Sequence, residues 1–235
     1  MKFLSWNCNC KFRKKFHLLD EYKPDVMIVQ ECEDPERSFD KEYKSWAKNY
    51  IWIGDNKNKG LGVFANKNIN LKKLPIPSSN YKLFLPILIN NKHTLIGVWT
   101  KASTTKKNGY INQLYNFLAE NKNILDFSKI IIAGDWNSNA QWDSKRSTGN
   151  HSNVVSLLNK KNVHSAYHYL NEVDHGSELE PTFYHYRDKT KAFHIDYIFL
   201  NKNWLEKPYS FSIFNSDPWL KYSDHVPIVF DSHNF

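Results

Sequence analysis

The stretch that decides the fold is Lys129-Ile130-Ile131-Ile132-Ala133-Gly134-Asp135-Trp136-Asn137-Ser138-Asn139. An unbroken apolar run is followed at once by a carboxylate and carboxamides. A short run without polar alternation, bounded by turn residues, reads as a strand buried on both faces. The same arrangement recurs along the chain. Val26-Met27-Ile28-Val29 is followed by Gln30 and Glu31, and Phe3-Leu4-Ser5-Trp6 by Asn7 and Asn9. His194 and Asp196 open His194–Leu200, and Ser223-Asp224-His225 directly precedes Val226–Phe230.

Outward from these runs, the pattern is α/β. Lys2–Asn7 reads as a short strand. Lys11–Tyr22 reads as an amphipathic helix, with Phe12, Phe16 and Leu19 on one face and a basic opposite face. Ile51–Gly54 and Gly60–Ala65 read as strands joined by a polar turn, and Leu83–Ile89 and His93–Trp99 as a hairpin around Asn90-Asn91. Helices are expected over Ile111–Leu125, Asn153–Lys160 and Val163–Tyr169, with closing strands at Phe183, Phe193–Leu200 and Val226–Phe230. Strands in both halves with helices between them suit packed sheets flanked by helices better than a βαβ ladder. No Pro-, Gly- or Ser-rich linker interrupts residues 1–235, so one domain is the simpler expectation.

The 235 residues carry 32 Lys and Arg against 24 Asp and Glu, a net charge of +8. That excess attracts polyanions such as nucleic acid or an anionic membrane surface. A lysine-rich solvated surface gives the same count, and charge alone does not separate the two. Of the three cysteines, Cys8, Cys10 and Cys32, none sits in a CxxC pair. No His/Cys cluster shows zinc spacing, which argues against a structural zinc site. The odd count also argues against a disulfide scaffold. No apolar stretch approaches the roughly 20 residues of a membrane span. The expectation is a reducing cytoplasm with no stable membrane association.

Strand ends are where side chains converge over one mouth while a sheet holds them rigid. Carboxylates and carboxamides are oxygen ligands for a hard cation, and a histidine beside carboxylates serves as acid, base or donor. Taken singly, an Asp or Asn after a strand is an ordinary turn former or helix cap. The five coincidences together point to a site.

The segments LSWNCN, IVQECE, IAGDWNSN, HIDYIF and SDHVP resemble, in order, the signature blocks of the endonuclease/exonuclease/phosphatase superfamily. The resemblance runs from residue 3 to about 230. It implies a four-layer αββα sandwich of two packed mixed sheets with the active site at one rim. It also implies a Mg2+- or Mn2+-dependent phosphodiesterase with Glu31 as principal metal ligand, Asn7 beside it and Asp224 assisting. Asp135 and Asn137 match the pair that orients and deprotonates water. His225 matches the histidine that meets the scissile phosphate, and Asp196 the carboxylate that holds it. Asn9 stands where nuclease members often carry an acid. Trp99 falls where many members place His or Tyr, leaving Tyr110 or Lys101 for that phosphate contact. Cys10 replaces a common glycine.

Nucleic acid, DNA foremost, is the expected partner. The grounds are the charge, the run Lys11-Phe12-Arg13-Lys14-Lys15, and Lys101, Lys106 and Lys107 near Trp99, a mixture of basic and aromatic residues that suits stacked bases. The segment PTFYHYRDKTKAFHIDY resembles the region that cradles an abasic sugar, with Phe183, Phe193 and Ile195 at its apolar positions; core packing is the alternative there. RNA, a small phosphoester or a lipid head group remains an alternative substrate, and a non-catalytic nucleic-acid-binding module is an alternative of another class.

Overall fold

A computed structural model describes residues 1–77, 81, 83–103, 109–144 and 148–233; Lys106 and Lys107 lie outside them. The chain's central strands do what their apolar runs require. β1 (Lys2–Asn7) pairs in parallel with β2 (Val26–Cys32), which pairs antiparallel with β4 (Lys59–Ala65) and through it with β3 (Tyr50–Asn56). On the other side of β1 lie β14 (Ile228–Asp231) and β13 (Ser210–Ile213), completing a six-stranded sheet.

The second six-stranded sheet runs β5 (Leu71–Lys73), β6 (Phe84–Ile89), β7 (His93–Trp99), β8 (Ile130–Asp135), β12 (Asp196–Asn201) and β9 (Val163–Ser165). Only β7 and β8 are parallel in it, so both sheets carry one central parallel pair flanked by antiparallel strands.

Period-two geometry explains why these strands lack polar alternation. Ile131 and Ala133 point between the sheets, where they join Phe3, Ile28, Val63, Ile198 and Ile228 in one buried core. Ile130 and Ile132 point outward and pack with Leu114, Phe117 and Leu118 of α2 (Ile111–Glu120) and with Val154 and Leu158 of α3 (His151–Asn159). On the first sheet Leu4, Met27 and Val29 face outward against Phe12, Phe16 and Leu19. Both faces of both sheets are therefore covered, giving the four-layer αββα sandwich. Each fully buried Ile or Phe contributes roughly 1.5–3 kcal/mol.

Several expectations are corrected by tertiary contacts. Lys11–Tyr22 is not one α-helix but two 3-10 segments, Phe12–Lys14 and Phe16–Tyr22. Asn9, Cys10 and Lys11 all take left-handed φ values, and Lys15 leaves helical geometry as its ammonium reaches the carbonyls of Cys8 at 2.5 Å and Tyr222 at 2.6 Å. The helix from Ile111 ends at Glu120, where the Asn121 amide turns back on the Phe117 carbonyl. Val163–Ser165 forms a strand because β12 offers it a ladder, and only Ala166–Asn171, α4, is helical. Phe193–Leu200 is broken at His194-Ile195 between β11 (Ala192–Phe193) and β12, and the last strand begins at Ile228. The short edge strands β5 and β13 and the helix α1 (Lys41–Trp46) carried too little pattern to be read. Asn90 and Asn91 do form the hairpin turn, with φ of 51° and 54°.

Candidate active site

β8 ends in Asp135, directly opposite Trp99 of β7 and Asp196 of β12. Gly134 makes this close approach feasible: its φ is +144°, and a Cβ there would lie 1.9 Å from the Val98 carbonyl oxygen. Asp135 is fully buried yet ringed by donors. Its Oδ1 accepts from the Asn137 backbone N–H at 2.8 Å, and its Oδ2 accepts from the side-chain amides of Asn137 and Asn7, each at 2.9 Å. The Asn137 amide also donates to the Thr100 carbonyl at 3.1 Å, fixing a residue whose φ is 47°.

His225 lies between two carboxylates. Its Nδ1 is 2.9 Å from Asp196 Oδ2 and its Nε2 is 3.9 Å from Asp135 Oδ2. Asp196 is itself held by the Thr182 hydroxyl, which donates to Oδ2 at 2.7 Å and accepts from the N–H groups of Ile195 and Asp196. The His225 backbone is pinned by Ser223 Oγ at 3.0 Å and by the Trp6 indole N–H on its carbonyl at 3.0 Å. Asp135, Asp196 and His225 thus form a buried cluster whose ligand-type atoms lie within 4.8 Å of one another.

Burial alone would lower the imidazole pKa, but Asp196 and Asp135 outweigh it and hold His225 well above its ordinary value. For Asp135, burial raises the carboxyl pKa and Asp196 adds to the rise, against the lowering effect of His225. The arrangement keeps an imidazolium beside a carboxylate that accepts a proton readily.

A second group adjoins through Asn7. Its Oδ1 accepts from the Asn9 backbone N–H at 3.1 Å, while the Asn9 amide donates to Asp224 Oδ1 at 3.1 Å. Glu31 sits at an irregularity between Gln30 and Cys32 in the β2–β4 ladder, with φ 63°, so its carboxylate leaves the ladder direction. That carboxylate meets the Lys59 ammonium at 2.8 Å, and the Cys10 thiol lies 3.5 Å from it. Cys10 itself takes φ 62°, the geometry a glycine would adopt freely.

A model of the Endonuclease/Exonuclease/phosphatase family matches residues 4–225. The chain belongs to that family. No curated protein matches it by sequence. Among solved structures, an AP endonuclease from Archaeoglobus fulgidus superposes with a TM-score of 0.73 at 19% identity, covering 99% of each chain. A 3'-5' exonuclease, NExo, from Neisseria meningitidis gives 0.70 at 15% identity, covering 98% of this chain and 99% of that one. The catalytic domain of APE2 from Xenopus laevis gives 0.65 at 17% identity, covering 98% and 91%. At these identities the superpositions speak for the fold.

Within this Endonuclease/Exonuclease/phosphatase chain, the structure brings Asn7, Asp135, Asn137, Asp196 and His225 into direct contact, and joins Asn9 and Asp224 to them through Asn7. Glu31 follows Gln30, which stands opposite Asn7 in the β1–β2 register. Phe183 packs its ring 4.7 Å from that of His225 and pairs with Phe193, whose ring meets Trp142 at 4.9 Å. Ile195, by contrast, is a core residue, 1% exposed. Trp99 is buried, with the Lys101 ammonium 4.5 Å and the Lys59 ammonium 5.5 Å from its ring. Tyr110, half exposed, donates its backbone N–H to the Lys101 carbonyl at 2.7 Å.

In the basic run after Asn9, Lys11 and Lys14 are exposed, whereas Arg13 and Lys15 are partly buried. Arg13 pairs with Glu33, Lys14 lies 3.5 Å from Asp40, and Lys15 is turned inward. Thr182, Lys59 and Trp142 escaped the sequence reading. Thr182 and Lys59 lie in polar segments with no periodicity, and Trp142 stands alone in a loop. The buried thiols of Cys8 and Cys32 are pushed up by burial, and all three cysteines are free.

Proposed function

We propose that this chain is a divalent-metal-dependent phosphodiesterase of nucleic acid, DNA foremost, acting as one domain over residues 1–235. The observation that carries the reading is the buried Asp196–His225–Asp135 chain, held by Asn7, Asn137 and Thr182. A binding module would have no use for an imidazolium clamped between two carboxylates at the cost of their desolvation.

The oxygen-rich donor set fits a hard cation. Glu31, Asn7 and Asp224 would hold magnesium or manganese, and Glu31 already faces a cation, the Lys59 ammonium. When bound, such an ion supplies positive charge to a phosphoryl oxygen. Asp135, oriented by three N–H donors, positions water and takes its proton as the water oxygen bonds to phosphorus and the opposite P–O ester bond breaks, the departing oxygen taking a proton from solvent. His225 donates from Nε2 to a phosphoryl oxygen as charge builds there, while Asn137 holds Asp135 in position. Asp196 keeps the imidazole charged and aimed.

Phe183, Phe193 and the half-exposed Trp142 form an aromatic wall beside His225 that suits a sugar or base. Lys101 and Tyr110 suit the flanking backbone, and Asn9 and Arg13 add further donors for it. Among the solved relatives, a 3' phosphatase NExo from Neisseria bound to a product DNA hairpin adds weight to DNA. Among the described residues no helix is long and apolar enough to cross a membrane.

The test is incubation of the pure protein with supercoiled plasmid and with a duplex bearing one abasic site, in magnesium, manganese or EDTA. Cutting that needs metal and is lost in His225→Ala is expected. Absence of cutting of either DNA would move the search to RNA, lipid head groups and small phosphodiesters.

A further inference from the structure

Away from the catalytic rim, the fold gathers four histidines and a glutamate that the proposed reaction does not use. His168 lies on α4. His175 and Glu178 lie on the turn that follows, where Gly176 takes φ +97° and the Ser177 N–H closes on the Asp174 carbonyl at 3.0 Å. One nitrogen of each of these two imidazoles and one oxygen of Glu178 lie within 4.8 Å of one another. His151, at the start of α3, and His194, just before β12, pack their rings against them at 5.1 and 5.7 Å.

We propose that His168, His175 and Glu178 form a binding site for a zinc-type divalent transition metal, distinct from the magnesium-type site at Glu31. Two imidazoles and one carboxylate are a ligand set that zinc accepts and magnesium does not favour. Each ligand is also held from behind, as metal-bound side chains are. His168 Nδ1 lies 2.8 Å from Ser165 Oγ, His175 Nδ1 lies 3.1 Å from His151 Nε2, and Glu178 Oε2 accepts from the Asn139 amide at 3.0 Å. His168 Nε2 and Glu178 Oε1 then face each other at 2.9 Å.

An open cleft of about 720 Å³, lined by His168, His175, His164 and Ser152, gives an ion access from solvent. Tetrahedral zinc spaces its ligands by roughly 3.3 Å. Binding therefore draws the group together, with His175, only partly buried, tilting off the His168 face on which it stacks at 3.6 Å.

His and Cys spacing along the sequence gave no zinc signature because the ligands meet only when α4 and the turn pack together. The site has a consequence for the catalytic rim. Glu178 holds Asn139, Asn139 holds the His194 carbonyl, and the Tyr197 hydroxyl lies within 3.1 Å of the Ser138 and His194 carbonyls. A metal there braces the loop that carries Asn137.

The test uses the full chain, stripped with chelator and titrated with Zn2+ by calorimetry and with Co2+ by visible absorption. Wild type and Glu31→Gln are both expected to bind an equivalent of zinc that excess magnesium does not displace. The cobalt form should show the intense bands of tetrahedral coordination. His175→Ala, on a partly exposed turn, and Glu178→Gln should lose both signals with unchanged circular dichroism, while His164→Ala keeps them. No zinc uptake by the wild type, displacement by magnesium, loss in Glu31→Gln, or bands that survive in His175→Ala would overturn the proposal. None of these readouts depends on cleavage, so it stands or falls apart from the nuclease reading.

Discussion

Replacing Asp196 by Asn removes one charge and little else. Asp196 Oδ2 accepts from both His225 Nδ1, at 2.9 Å, and the Thr182 hydroxyl, at 2.7 Å, whereas its buried Oδ1 has no protein partner. An asparagine therefore keeps its carbonyl oxygen at the Oδ2 place and puts its NH2 where no bond is lost. Imidazole tautomer and position survive. A hydrogen bond to a charged group contributes roughly 1.5–3 kcal/mol, which corresponds to a fall of about 1–2 units in the His225 pKa. Asp135, at 3.9 Å, still supports part of the elevation.

Hydrolysis of a simple chromogenic phosphodiester, followed from about pH 6 to about pH 10, reports this group as the alkaline limb of kcat/KM. In Asp196→Asn that limb should move down by about 1–2 units, and turnover should fall roughly 10²-fold or more. The 15N signals of the His225 ring should titrate with the same displacement. A limb that stays in place, with turnover within about threefold of wild type, would refute the role given to the pair.

Gly134→Ala should be severe: a Cβ 1.9 Å from the Val98 carbonyl oxygen at φ +144° should cost at least about 3 kcal/mol in urea unfolding, and a loss under about 1 kcal/mol would contradict the close β7–β8 approach. Burial lowers both His151 and His194 from 6.5 to about 4. Between those pH values the unfolded chain binds more protons than the folded one, so stability falls as pH falls through this window. The loss should be up to roughly 3 kcal/mol for each, and a metal-free melting temperature that stays flat from pH 7 to pH 4.5 would exclude it. Lys59→Met frees the Glu31 carboxylate from its 2.8 Å ion pair. A partly exposed pair contributes at most about 1 kcal/mol, so Mn2+ should bind up to about fivefold tighter by calorimetry, and weaker binding would show that Lys59 is not its competitor.

The sequence by itself determined the strands whose two faces are covered, because an apolar run such as Ile130–Ala133 has no other soluble use. It also determined which polar residues end them, since Asn7, Glu31, Asp135, Asp196 and His225 break those runs abruptly. Tertiary structure decided the rest. Whether Val163–Ser165 is strand or helix depends on the ladder β12 offers it, and whether Phe12–Tyr22 is a regular helix depends on where the Lys15 ammonium finds its carbonyls. Thr182 and Lys59 join the site only because the segment leading into Phe183 and the start of β4 carry them there, through contacts between residues far apart in the chain. A periodic pattern records which face of an element is dry. Which partner lies across that face is fixed by packing alone, and the site's charges and hydrogen bonds are set there.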